Sequence, residues 1–172
     1  AGLKGRLVRV TKRQPGMKRF KAKGENLLRE MSHPTAINQV WVADVTYLKV
    51  RGKWEYLATV MDLYSRRIIG WSLSSTRTTE LTRAAMTYAL RKRNHPTGVL
   101  LHTDRGVEYT GGEFQRLLKD NEFKHSLNRP GHCTDNAFME SFFHSLKAEL
   151  IRGSIYRSTK ELRRSLTTYI NK

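Results

Sequence analysis

The chain has a single cysteine, Cys133, among 172 residues, so no disulfide can form within it and none can staple a small core. Four prolines and twelve glycines are too few and too scattered for a low-complexity or collagen-like tract, and no internal repeat is visible. No run of 18 apolar residues occurs, and no basic start followed by a short apolar segment reads as a secretory leader. Neither a membrane span nor a signal peptide is expected, and a reducing, cytoplasmic setting follows as the default. Acids are scarce as well: 15 Asp and Glu stand against 32 Lys and Arg, for a formal charge of +17. Solubility needs far less, so the expected partner is a polyanion, above all a nucleic acid, because each neutralised phosphate releases counterions. Charge alone fits a ribosomal or membrane-surface protein equally well.

What is present is an ordinary globular complement, with 38% hydrophobic residues, enough to bury one core. Residues 1–23 carry nine Lys or Arg and no acid, the pattern of a flexible or DNA-associated arm. Glu25 to Pro34 can hold a short helix. Gln39 to Val50 then places apolar residues on both faces at period two, which predicts a buried central strand. Arg51-Gly52-Lys53 reads as a turn, and Trp54 to Asp62 and Ile68 to Leu73 as two more strands of an antiparallel meander. Thr79 to Arg93 reads as a helix, N-capped by Thr79, with Leu81, Ala84, Ala85, Tyr88 and Ala89 as its apolar stripe. Val99 to Thr103 is a short strand reached by a helical crossover, hence parallel to an earlier one. A turn over Arg105 to Gly112, a helix from Glu113 to Asn121, and a strand from Phe123 to Leu127 follow. Next comes a helix bearing Met139, Phe142, Phe143, Leu146 and Leu150 on one face, and a last helix opens at Ser158-Thr159-Lys160-Glu161. The order predicts an α/β fold: a mixed five-stranded sheet, three antiparallel strands then two parallel, flanked by helices.

Three acids stand out. Asp44 lies mid-strand among apolar neighbours, where a carboxylate is costly unless a cation meets it. Asp104 closes the fourth strand, at the carboxyl end where open sheets place their sites. Glu140 projects one turn inside the long helix, with His144 and Lys147 at i+4 and i+7 along the same stripe. A bare Glu-x6-Lys pair is more often a solvated helix face. If the fourth strand pairs beside the first, however, Asp44 and Asp104 become neighbours and Glu140 can be laid across them. Two carboxylates at ~4 Å repel by roughly 4 kcal/mol at an effective dielectric near ~20. Such a cluster calls for protonation or for a divalent cation, and an all-oxygen ligand set selects Mg2+ or Mn2+. In a strongly basic chain that points to phosphoryl transfer on nucleic acid, with two ions serving an in-line displacement.

Four blocks in order, VWVADVTYL, MDLYSRRIIGWSL, HTDRGVEYTG and DNAFMESFFHSLKAEL, resemble the integrase-type DDE transposases of bacterial insertion sequences, relatives of the retroviral integrase catalytic core. The spacing agrees, with 60 positions from Asp44 to Asp104, 35 residues between Asp104 and Glu140, and Lys147 seven beyond the glutamate. The resemblance covers roughly residues 38–172. It implies a ribonuclease H-like fold and a metal-binding catalytic triad of Asp44, Asp104 and Glu140. It also implies that Lys147 contacts the donor end, and that the reaction is nicking at element ends followed by 3′-OH strand transfer into target DNA. Homo-oligomers on DNA, in a nucleoid-associated setting, are expected. Residues 1–37 then read as a basic arm, the tail of a truncated DNA-binding region, and residues 38–172 as a catalytic core truncated at its C-terminus. A ribonuclease H-fold nuclease without strand transfer and a non-catalytic nucleic-acid-binding module are the competing readings.

Other residues carry weaker signals. Arg105, Arg129 and His144 are candidate DNA contacts beside Lys147, each with a solvated charge as its plain alternative. Asn136, a further candidate DNA contact, reads as a helix cap, as a residue that orients the metal site, or as both. Asp62 in Asp-x-x-Ser reads as a turn cap, and His102 as a packed core histidine. Cys133 with His125, His132 and His144 matches no zinc spacing. Trp41, Trp54 and Trp71 read as core or sheet-face residues, and the loop Arg129 to Asp135 as a mobile flap.

Overall fold

A computed structural model describes residues 24–171; the basic segment 1–23 lies outside the described residues. Its spine is β1 (Val40–Val50), which the sequence marks by apolar residues on both faces. β2 (Lys53–Asp62) and β3 (Ile68–Ser74) follow as an antiparallel meander, with Val50 paired to Lys53 and Tyr56 to Ser74. The first hairpin closes through Arg51 and Gly52, both at positive φ (49° and 79°), the geometry that matches strand twist in a two-residue turn. The second turn is held by buried Asp62. Its Oδ1 accepts from the Ser65 amide (2.8 Å) and hydroxyl (2.9 Å), and its Oδ2 accepts from the Asn38 amide (2.7 Å). Asp62 is therefore the turn cap that its spacing suggested.

α1 (Thr79–Lys92) crosses over to β4 (Leu100–Thr103), which lies parallel to β1 with Val40 against Leu100 and Val42 against His102. α2 (Val107–Thr110) and α3 (Gly112–Asp120) lead to β5 (Lys124–Leu127), parallel to β4. The sheet order is β3-β2-β1-β4-β5. α4 (Ala137–Leu146) continues into a π-helical turn (Lys147–Ile151), and α5 (Thr159–Ile170) ends the fold. The expected mixed five-stranded sheet is present. The region Arg105 to Gly112, read as a turn, contains the short α2.

Two cores sandwich the sheet. On one face Trp41, Ala43, Val60 and Ile69 meet Ala85, Met86 and Ala89 of α1. On the other, Val40, Val42 and Met61 meet Met139 and Phe143 of α4, and Leu48, Leu57 and Leu73 meet Leu146, Leu162 and Leu166. The buried stripe of α1 is Leu81, Thr82, Ala85, Met86, Ala89 and Leu90; Ala84 and Tyr88, expected inside, are exposed. The face is turned because β3 offers Gly70, against which the Ala85 carbonyl and the Ala89 methyl are pressed. Only small residues permit that approach, so they choose the contact line. Thr78 rather than Thr79 is the N-cap of α1, and no side chain caps it. In α5, Ser158 caps the Glu161 amide at 3.2 Å, while the Glu161 carboxylate accepts from the Arg157 amide at 2.7 Å. Trp41 is buried and Trp71 half-buried, whereas Trp54 is 47% exposed at the outer end of the hairpin, edge-on to Tyr47.

Candidate active site

The parallel pairing of β1 and β4 builds the site. The register that sets Val42 against His102 sets Asp44 against Asp104 two residues later, just where β4 ends and β1 runs on. Asp44 is half-buried, and its Oδ1 accepts from the Val45 amide at 2.7 Å. Burial, and then the charge of Asp104, push its carboxyl up to about 7. Asp104 Oδ1 accepts from the Gly106 amide at 2.9 Å, and burial raises this carboxyl too. Two neighbouring carboxylates with raised affinities for a proton are two groups that a cation would stabilise.

Glu140 is exposed on α4. The carboxylates acting on Asp44 are Asp104 and Glu108, and among the described residues no three His, Cys, Asp or Glu side chains converge as a metal cage. The structure thus brings together two of the three expected acids and leaves Glu140 outside the pair. Lys147, at the start of the π-helical turn, does approach. Burial lowers its pKa while the charge of Asp44 raises it, and its Nζ lies 4.7 Å from the Tyr47 ring centroid. Lys147 and His144 line a groove of about 350 Å3 together with Tyr47, Lys49 and Arg152.

The other expected DNA contacts are engaged within the fold. Arg105 donates to the Asn128 carbonyl (2.6 Å) and to the Gly24 carbonyl (2.7 Å). Arg129 grips Asp135, with Nη2 at 2.8 Å and Nε at 3.1 Å, which holds the Asp135 carboxyl well below the usual range. Both arginines border a hollow of about 260 Å3 beside Asp104. Asn136 stands at the N-cap of α4 but does not cap it; its Nδ2 donates to the Ala43 carbonyl at 3.1 Å, tying the helix to the strand residue before Asp44. His102 is fully buried, with Nδ1 2.8 Å from Ser126 Oγ. His125 bridges Thr103 Oγ1 (2.9 Å) and Gln115 Nε2 (2.8 Å), a hydrogen-bonding role inside the fold.

Three further residues surround the pair. Arg77, between β3 and α1, reaches Asp104 Oδ2 at 3.7 Å and is paired with buried Glu108. The Tyr109 hydroxyl is buried without a partner among the described residues, and its pKa is pushed well up by burial and by the charges of Asp44, Asp104 and Glu108. Glu108 and Tyr109 fall within the quoted HTDRGVEYTG block, where a buried acid could have been suspected. Arg77 has no local signal, because it meets the site only through the packing of α1 on the sheet.

A model of the integrase core domain matches residues 34–133, and a second integrase core model matches residues 121–172. The chain belongs to the integrase core family. Within it, the chain is 43% identical over 146 residues to the InsF transposase of insertion sequence IS3A from Escherichia coli K12, covering 85% of this chain and 51% of that protein. It is 37% identical over 150 residues to the IS904 transposase of Lactococcus lactis, covering 85% and 59%. The chain therefore spans about half the length of the curated relatives it matches. Among solved structures, the simian T-cell lymphotropic virus intasome in complex with a PP2A regulatory subunit aligns at a TM-score of 0.67 with 19% identity, over 85% of this chain and 51% of that one. The trimeric form of the HTLV-2 integrase catalytic core with magnesium aligns at 0.56 with 21% identity, over 76% and 84%. The integrase-core fold, ribonuclease H-like, is thus shared with retroviral enzymes at low identity.

Proposed function

We propose that this integrase core is the catalytic part of a DNA transposase, nicking DNA at the ends of its element and joining the freed 3′-hydroxyl to a target strand. The observation that carries this reading is the meeting of Asp44 and Asp104 at the end of β4, beside the cationic groove. The donor set fits a hard divalent cation. Both groups are carboxylates, and burial, with the charge of Asp104 acting on Asp44 and that of Glu108 on Asp104, leaves them short of positive charge. Asp44 and Asp104 would hold magnesium or manganese, as two ions in the complete site, and Glu140 would complete the ligand set once DNA is seated. The metal supplies activation of the attacking oxygen and charge stabilisation at the leaving one.

The chain's own residues do the rest. Lys147, Lys49 and Arg152 offer cationic partners, and His144 a hydrogen-bonding ring, to backbone phosphates along the groove, and Lys147, beside Asp44, ties DNA position to the acidic pair. In nicking, a water oxygen attacks phosphorus and the 3′-oxygen leaves as a hydroxyl. In joining, that hydroxyl attacks a target phosphorus and displaces the target's own 3′-oxygen. Each step exchanges one P–O bond for another, so the same acids serve both and no covalent enzyme intermediate arises. Joining two element ends requires more than one copy on the DNA, in the bacterial cytoplasm at the nucleoid.

The test offers the purified chain intact donor DNA to read nicking and pre-nicked donor DNA with a plasmid target to read joining, each with Mn2+. Asp44→Asn, Asp104→Asn and Glu140→Gln are each expected to reduce nicking and joining to background while DNA affinity persists. Nicking without joining would assign a nuclease instead, and Glu140→Gln with unchanged activities would remove the glutamate from the mechanism.

A further inference from the structure

Arg77 is shared unequally between two carboxylates. Its Nε donates to Glu108 Oε1 at 2.7 Å, and Nη2 donates to the same oxygen. The same Nη2 lies 3.7 Å from Asp104 Oδ2. Glu108 is 3% exposed, so its ion pair is shielded from solvent, while the Asp104 side chain is 35% exposed. Two features seat Glu108. Thr82 Oγ1 donates to its backbone carbonyl at 2.8 Å, and Gly106 leaves room for its carboxylate. A Cβ at Gly106 would fall 2.6 Å from Oε1 and 2.7 Å from Oε2, closer than atoms tolerate. Glycine two residues before the glutamate and two after Asp104 thus leaves the carboxylate its present place, from which a Cβ would make it shift.

We propose that Glu108 is a positioning residue: by holding Arg77 in a buried ion pair it withholds that guanidinium from Asp104 and keeps Asp104 available to a divalent cation. This rests on the metal-site reading above and adds a requirement to it. An arginine that moved toward Asp104 by a fraction of its own length would make a charge-assisted hydrogen bond to a metal ligand. It would compete directly with the cation. Within the pair the two charges act on Asp44 and Asp104 in opposite senses, so Glu108 removes the competitor by holding its geometry rather than by adding charge to the site. A purely architectural ion pair between the β3–α1 connection and α2 makes a different prediction. Breaking it from either side should loosen the fold, and breaking it from both sides should not help.

The experiment titrates Mn2+ alone into the purified chain by calorimetry, without DNA, beside thermal melts of every variant. Glu108→Gln keeps the shape and an acceptor oxygen but loses the charge. It is expected to weaken Mn2+ binding about tenfold, the effect of one charge-assisted hydrogen bond formed in competition. Adding Arg77→Met to Glu108→Gln is expected to restore Mn2+ affinity to that of the unaltered chain. Glu108→Gln with unaltered affinity, or a double variant no better than the single one, overturns the proposal. Should Glu108→Gln fail to melt cooperatively, the double variant decides: affinity matching the unaltered chain is expected, and about tenfold weaker binding overturns it. If the folded, unaltered chain takes up no Mn2+, the metal-site reading itself falls. Normal uptake with an indifferent Glu108 defeats the positioning role alone.

Discussion

Asn136 stands where a helix cap belongs, yet its amide reaches across to the Ala43 carbonyl. Side chain and carbonyl are both buried, so Asn136→Ala leaves an acceptor without a donor, at a cost of about 1–3 kcal/mol. Urea denaturation should register the loss, and joining activity should fall further than stability alone dictates, because α4 carries Glu140. His125 gives a pH dependence. Burial lowers its pKa to about 4, against ~6.5 in an unfolded chain. The unfolded state therefore binds the proton first, and the stability of the folded chain falls as pH drops from about 6.5 toward 4. His125→Gln keeps a donor and an acceptor for Gln115 and Thr103. It should shrink the difference between denaturation midpoints measured at neutral and at acid pH. His102, whose pKa burial also lowers, keeps the difference from vanishing. At this scale the sequence was legible where a residue contradicted its surroundings. Asp44 is an acid in an apolar strand, and Asp104 an acid at a strand end. It is silent where a partner comes from far away, as Arg77 does for Glu108, and at Asn136 it offers a cap and a site-orienting role, of which the fold leaves the cap unmade and ties the side chain to the Ala43 carbonyl.

Among elements, strands were easier to read than helix faces. Period two leaves β1 no choice, and short connections dictate the meander. Periodicity places Ala84 and Tyr88 inside α1's apolar stripe, whereas Thr82, Met86 and Leu90 are the residues buried there, since periodicity gives the existence of an apolar face while the neighbour gives its direction. Here the neighbour is β3 at Gly70. Gly70→Ala should push α1 off the sheet, with about 1–3 kcal/mol lost to overpacking, seen as a lower melting temperature. Because α1 carries Thr82, which anchors the Glu108 carbonyl, the displacement should also weaken Mn2+ uptake. α2 escaped notice because four residues are too few for a helical period to register. Glu140 illustrates the opposite limit: sequence spacing offers it to the site, and the position of α4 in the folded chain keeps it exposed.

For the whole molecule, the charge of +17 predicts that the DNA affinity proposed above depends strongly on salt. Lys147→Ala should weaken binding across all sequences and lower the slope of log affinity against log salt by about one, as fluorescence anisotropy over a salt series would show. The sheet has one further consequence. β1 has eleven residues and β4 has four, and of β1 only Val40, Trp41 and Val42 pair with β4. That step lets two carboxylates face each other at an open end. It also leaves the far half of β1 with backbone donors and acceptors that β4 does not cover, a rail on which a second chain could add a strand. Lys49, exposed and lying over Trp54, guards that rail by charge. Removing that charge leaves the edge open to strand addition, and light scattering should find Lys49→Val more prone to aggregate in high salt.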